Sequence, residues 1–156
     1  VTTAPGGVLS DYVPFYFTPW SIMMYNIHTG YRGIPRRENR DIVIFVSSVE
    51  SVRAAGRPFL FTTQHAYAAG TEFIADTNRL NEIDWEILNR KDFRADDADP
   101  GKGLRYQAEG LVHNHVPVQA LLGIGCADDA TVRRIGEEAG RRGLELAVKP
   151  MPRWYF

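Results

Sequence analysis

Apolar and polar positions change rhythm several times along this chain, and each change predicts an element. Residues 11-DYVPFYF-17 are aromatic and β-rich, with Pro14 hinting at an edge strand or a bulge. In 19-PWSIMMYNIHTG-30, Ile22, Met23, Tyr25 and Ile27 recur at helical spacing behind an opening proline, which predicts a short helix. A basic turn, 32-RGIPRRENR-40, leads into 41-DIVIFVSS-48, a continuous apolar run that reads as a buried strand. One or two helical turns are expected over 49–56, closed by Gly56, then a strand over 59–63 and a partly helical stretch over 64–76. A short helix is expected around 84–90, and strands over 107–112 and 118–126. The clearest helix is 128-DDATVRRIGEEAGRRG-143, with acids at its start, arginines in its last turn and a glycine after it. A strand over 144–150 and the tail 151-MPRWYF-156 finish the chain.

Strands mixed with short helices, rather than alternating regularly with them, point to an α+β fold. No glycine-rich phosphate loop follows any of the strands, which removes the mechanical part of a Rossmann or P-loop fold. The 156 residues fit one domain, expected over 11–156 behind a loop-like lead-in over 1–10. A net charge of −1 means that a nucleic-acid partner has to be met by a local patch. The single cysteine, Cys126, lies in an apolar run, reads as a buried small hydrophobe, and suits a reducing, cytoplasmic compartment. No apolar run approaches the roughly 20 residues of a membrane span, and no signal peptide opens the chain.

The unusual feature is 105-RYQAEGLV-112. With period two, Gln107, Glu109 and Leu111 share one strand face, so a carboxylate stands at the start of an apolar strand where burial is costly. Gly110 weakens that strand and marks a close approach of backbone or ligand. A carboxylate fixed there can bind sugar hydroxyls or stabilise an oxocarbenium-like centre; the alternative is a surface glutamate or one paired with Arg105. The polar stretch over 91–107 is long for a connection inside a compact domain, which points to function. Its cations, Arg94 and Arg105 among them, could hold phosphates, and Phe93 or Tyr106 could stack on a base; a solvated loop of mixed charge is the other reading. Arg32, Arg36, Arg37 and Arg40 form a second candidate phosphate track. His65 can act on a base or sugar, or be structural. His113 and His115 would share a strand face, but no third ligand of suitable type accompanies them, so no metal site is expected.

Four segments together resemble the DarT toxins, NAD-dependent ADP-ribosyltransferases that modify bases in single-stranded DNA. They are 11-DYVPFYF-17 followed by 22-IMMYNIHTG-30, then 59-FLFTTQHA-66 with 71-TEF-73, then 105-RYQAEGLV-112 with 116-VPV-118, and last 153-RWYF-156. The resemblance implies the ADP-ribosyltransferase fold, a split pair of mainly antiparallel sheets with flanking helices. It implies that Glu109 is the catalytic acid residue behind a substrate-recognition loop over about 90–107. Tyr16, Phe17 and Gln107 would line the NAD pocket, while Met24, His65, Arg94 and Arg105 would meet DNA. It also implies a macrodomain antitoxin as partner.

Two departures are visible. Gly110 stands where family members often carry a bulky residue, and the ten residues before Asp11 hold neither the histidine nor the arginine that family members place there for NAD. With Val rather than Met first, the chain reads as a fragment or processed form. The rival to the enzyme is a truncated, non-catalytic nucleic-acid-binding module; transfer to RNA or protein is the rival within the enzyme class.

Overall fold

The computed structural model describes all 156 residues. In chain order the elements are β1 (Tyr12–Tyr16), α1 (Ile22–Thr29), β2 (Val43–Ser47), α2 (Val49–Ala54), β3 (Phe59–Phe61), α3 (Trp85–Arg90), α4 (Lys102–Arg105), β4 (Glu109–His113), β5 (Leu121–Cys126), α5 (Asp129–Arg141) and β6 (Val148–Pro150), with short 3₁₀ turns between them. They form two compact units: Val1–Thr18 with Gly56–Val116, and Pro19–Ala55 with Pro117–Phe156.

The first unit is built on an antiparallel sheet in the order β1-β4-β3. Its central strand, β4, is buried on both faces over residues 109–112 and therefore reads as a continuous apolar run after the glutamate. Pro14 sits in an edge strand, where its missing N–H costs no ladder bond on the open side. Tyr12, Leu60, Ala66 and Leu111 form the core of this unit, and Val1, Leu9 and Phe73 pack against them. The first ten residues are thus tied down: Thr3 Oγ1 donates to the Phe73 carbonyl at 2.5 Å, and the Tyr12 hydroxyl donates to the Gly6 carbonyl at 2.7 Å.

The second unit carries a sheet in the order β2-β5-β6, antiparallel between β2 and β5 and parallel between β5 and β6. The parallel pair follows from α5, which crosses from the end of β5 to the start of β6. Asp128 caps α5 by accepting from the Thr131 N–H at 2.7 Å, and its carboxyl is held below the usual range chiefly by that bond. The expected strand over 118–126 starts three residues late, because 118–120 close a 3₁₀ turn, and the strand over 144–150 shortens to β6. Cys126 is fully buried, and burial pushes its thiol up.

The tail 153-RWYF-156 folds back on β5. The Trp154 ring lies 3.0 Å from where a Cβ on Gly125 would stand, so a side chain there would have to push the ring aside. The Tyr155 hydroxyl, between the Gly125 and Ile42 carbonyls at 2.9 and 3.0 Å, shares one proton between two acceptors. Burial and the neighbouring Cys126 and Asp128 push its pKa up to about 12.

Candidate active site

Glu109 opens β4, directly across the ladder from Tyr16 on β1. Its position is fixed from the other side by Thr62, which follows β3: the Glu109 N–H donates to Thr62 Oγ1 at 3.2 Å, and the Thr62 N–H donates to the Glu109 carbonyl at 2.9 Å. The Thr62 hydroxyl in turn donates to the Gln64 carbonyl at 2.6 Å. The residue is only 7% exposed. Burial raises the pKa of its carboxyl, and the His65 charge and a hydrogen bond from the Ala66 backbone pull it part of the way back. The Tyr16 phenol is raised by burial and by the Glu109 carboxylate. The carboxylate therefore stands on a rigid strand, desolvated on one side, with an imidazole and a phenol as its polar neighbours.

Gly110 leaves room beside this glutamate for two aromatic rings. A Cβ there would stand 3.0 Å from the Phe59 ring and 3.6 Å from the Phe17 ring. Phe17 meets Trp85 edge to face, with centroids 5.6 Å apart. Phe17 and Phe59, with Trp85 against Phe17, thus cover the face of β4 that Gly110 presents, while the Glu109 side chain points to the other face beside Tyr16.

His65 lies in a turn sewn to the loop that precedes β4. Its N–H donates to the Leu104 carbonyl at 2.9 Å, and its Nδ1 accepts from the Tyr67 N–H at 3.0 Å. With Nδ1 accepting that bond, the ring carries its hydrogen on Nε2, which is a donor. The helical stretch expected over 64–76 does not form. Gln64 and Thr71 bond each other and the local carbonyls, and Ile74 instead makes an isolated bridge to Phe61.

The loop ahead of Glu109 is held by ion pairs. Lys102, 7% exposed, reaches both oxygens of Asp92 at 3.0 and 3.1 Å and Asp96 at 3.3 Å. Arg105 meets Asp99 through two nitrogens at 3.0 and 2.6 Å and reaches Asp84, the cap of α3, at 3.1 Å. Asp99 and Asp84 hold the guanidinium above its ordinary value, and Arg105 holds the Asp99 carboxyl below its own. The Arg105 guanidinium expected to face DNA is thus already committed to two carboxylates. Gln107 likewise turns its amide inward, donating to the Gly103 carbonyl at 3.0 Å. Arg94 is exposed, outside every ion pair.

The structure brings Tyr16, His65 and Glu109 together in the first unit; Phe17 lies in the same unit, on the Gly110 side of the strand. Met24 lies in the second unit, on α1, where it is 4% exposed; its neighbour Met23 is 55% exposed. Sequence reasoning missed Thr62 and the Lys102 clamp. The T-T after a strand was the only signal for the first, and nothing in the spacing of the acids singles out the partners of the second. No group of three His, Cys, Asp or Glu side chains is placed to hold a metal ion.

Two small, mainly antiparallel sheets with flanking helices, and a buried glutamate heading the central strand across from a tyrosine, have the build of an ADP-ribosyltransferase domain. The DarT family, described as ssDNA thymidine ADP-ribosyltransferase, matches residues 1–156, and the chain belongs to it. It is 46% identical over 156 residues to a DNA ADP-ribosyl transferase of Escherichia coli O127:H6, an alignment covering all of this chain and 72% of the relative. The fold superimposes on Thermus sp. 2.9 DarT in complex with carba-NAD+ with a TM-score of 0.90 at 30% identity, covering 100% of this chain and 79% of that one. For the same Thermus protein in complex with ADP-ribosylated ssDNA the TM-score is 0.86 at 29% identity, with 100% and 74% covered. No helix is long and apolar enough to cross a membrane.

Proposed function

We propose that this chain transfers ADP-ribose from NAD to a base of single-stranded DNA, with Glu109 as the catalytic carboxylate, and that it acts as the toxin of a toxin–antitoxin pair whose partner is a macrodomain. The observation that carries the reading is the placement of Glu109: buried, fixed by two bonds to Thr62, and flanked by Tyr16 and His65. These residues fit a nicotinamide riboside. The Tyr16 ring suits the flat nicotinamide, and a carboxylate suits the ribose hydroxyls and the positive charge that develops at C1′.

In the reaction the bond from C1′ to the nicotinamide nitrogen breaks and the electron pair leaves with nicotinamide. A nitrogen of the base then bonds C1′ and loses its proton. Glu109 steadies the cationic centre and takes up that proton; its raised pKa makes it a better base than an exposed glutamate. Tyr16 and Phe17 are the residues we assign to the nicotinamide side, with Gln107 at the loop end of the pocket. His65, through its Nε2 proton, and Arg94, through its open guanidinium, are assigned to the DNA. Arg105 and Met24 support the surfaces on which such contacts form rather than making them.

The test is mass spectrometry of mixed-sequence single-stranded oligonucleotides incubated with the chain and NAD, beside Glu109→Gln. An ADP-ribose adduct from the parent alone establishes reaction and residue together. Adducts on RNA or protein in place of DNA would redirect the substrate, and binding without any adduct would leave the non-catalytic module as the correct reading.

A further inference from the structure

The basic residues are divided unevenly between the two units. The second holds eleven Lys and Arg against eight Asp and Glu, a formal +3, and the first holds seven against eleven, a formal −4. Most cations of the first unit are also spent. Arg79 pairs with Glu72 and Glu82, Arg90 with Glu86, Lys102 with Asp92 and Asp96, and Arg105 with Asp84 and Asp99, while Arg57 donates to the His113 carbonyl. A polyanion gains little from guanidinium groups already neutralised by carboxylates.

In the second unit, the stretch between α1 and β2 differs on both counts. Residues 31–37 are exposed throughout and carry Arg32, Arg36 and Arg37 with no acid among them and no ion pair to any of the three. The stretch is built rather than loose. Gly30 ends α1 in the left-handed conformation, φ 72°, and its N–H donates to the Asn26 carbonyl. The Arg37 N–H returns to the Ile27 carbonyl at 3.3 Å, and the Asn39 side chain donates to the Phe156 carbonyl at 2.7 Å. Arg32, itself left-handed at φ 51°, sits with its guanidinium 5.2 Å from the centroid of Tyr31, a ring that is 49% exposed. Arg40 is a different case: it faces the Asp128 carboxylate, and its carbonyl accepts from Arg134.

We infer that residues 31–37 form a second contact surface for single-stranded DNA, in which Arg32, Arg36 and Arg37 meet successive phosphates and Tyr31 offers a face on which a base stacks. The inference rests on the DNA reading above for its choice of polyanion. Charge, exposure and anchoring select a flexible phosphate chain; the stacking ring beside the arginines selects one whose bases are unpaired. The surface lies outside the residues assigned to chemistry, so it supplies affinity and leaves transfer at saturating DNA untouched.

The experiment is fluorescence anisotropy of a labelled oligo-dT of about 20 nucleotides across a salt series, in a Glu109→Gln background so that nothing turns over. Each phosphate contact to a single strand adds about 0.7 to the slope of log affinity against log salt. Arg36→Ala with Arg37→Ala is expected to lower the slope by about 1.4 and weaken binding roughly tenfold near 0.1 M salt. Arg141→Ala with Arg142→Ala, a pair already bound to Glu138, is expected to leave the slope unchanged. Tyr31→Ala is expected to weaken binding without altering the slope.

An unchanged slope in the Arg36 and Arg37 variant overturns the inference, as does a parent that binds no oligo-dT at low salt. A parent that binds oligo-U with the same slope but not oligo-dT overturns the choice of DNA. The adduct assay keeps the two readings apart. Adduct formation with no effect of the arginine variants sinks this surface alone. Loss of slope in a chain that forms no adduct sinks the transferase reading and leaves the surface standing.

Discussion

Thr62 and Glu109 hold each other twice, each backbone N–H donating to the other residue: Thr62 N–H to the Glu109 carbonyl, and Glu109 N–H to the Thr62 hydroxyl. The second bond is the one a side-chain change can remove. Thr62 is fully buried, so Thr62→Val keeps the shape and leaves the Glu109 N–H without its acceptor. A cost of about 1–3 kcal/mol is expected, read by urea denaturation. Transfer is expected to fall as well, because the carboxylate loses one of its two anchors.

Glu109→Gln separates chemistry from stability. Loss of the carboxylate is expected to lower transfer by about a thousandfold or more, with DNA affinity unchanged. Stability moves the opposite way. The folded-state pKa of Glu109 lies above its ordinary value because burial penalises the charge. Between the unfolded and folded pKa the folded state binds the extra proton, so the stability Glu109 contributes is present below the unfolded value and lost as pH rises through the folded one. At pH 8 the glutamine variant is therefore expected to melt higher than the parent, and below pH about 4 the difference is expected to vanish. Thermal melts at the two pH values decide it.

The loop ion pairs titrate with the reverse sign. Arg105 holds the Asp99 carboxyl below its ordinary value, so the stability it contributes is present above the unfolded pKa and lost as pH falls through the folded one. Protease cleavage within residues 92–102 is expected to speed up below pH about 4, while the second unit stays protected. Lys102→Met is expected to give the same cleavage at neutral pH, since it leaves Asp92 and Asp96 facing each other without their shared cation.

Gly110→Ala drives a methyl group to 3.0 Å from the Phe59 ring. Overpacking of this kind costs about 1–3 kcal/mol. If Phe17 stands on the nicotinamide side, KM for NAD is expected to rise more than kcat falls, because the rings beside Gly110 move and the carboxylate does not. An unchanged KM would place NAD elsewhere.

Tyr155→Phe removes a hydroxyl shared between two buried carbonyls. A loss of about 1–3 kcal/mol is expected, with the second unit opening first in hydrogen exchange.

Much of this was legible in the residues. Glu109 stood out because a carboxylate before an apolar strand conflicts with its neighbours, and the structure resolves the conflict with Thr62, His65 and the Ala66 backbone. Helix α5 was legible because its caps, charges and period agree. The stretch over 64–76 was not, because hydrogen bonds from Gln64 and Thr71 outweighed a weak helical pattern. The role of Arg105 was hidden for a different reason: its partners are 6 and 21 residues away, and no local rule chooses Asp99 and Asp84 over Asp92, Asp96 or Asp97.

The Lys102 and Arg105 pairs divide their loop into a frame and a tip. Arg94, Ala95, Asp97 and Ala98 are exposed, and their side chains stand outside every ion pair, between residues that the pairs hold. Such a loop can vary at its tip without disturbing its frame. Sequence change between relatives should therefore concentrate there, while the carboxylate behind the loop stays where it is.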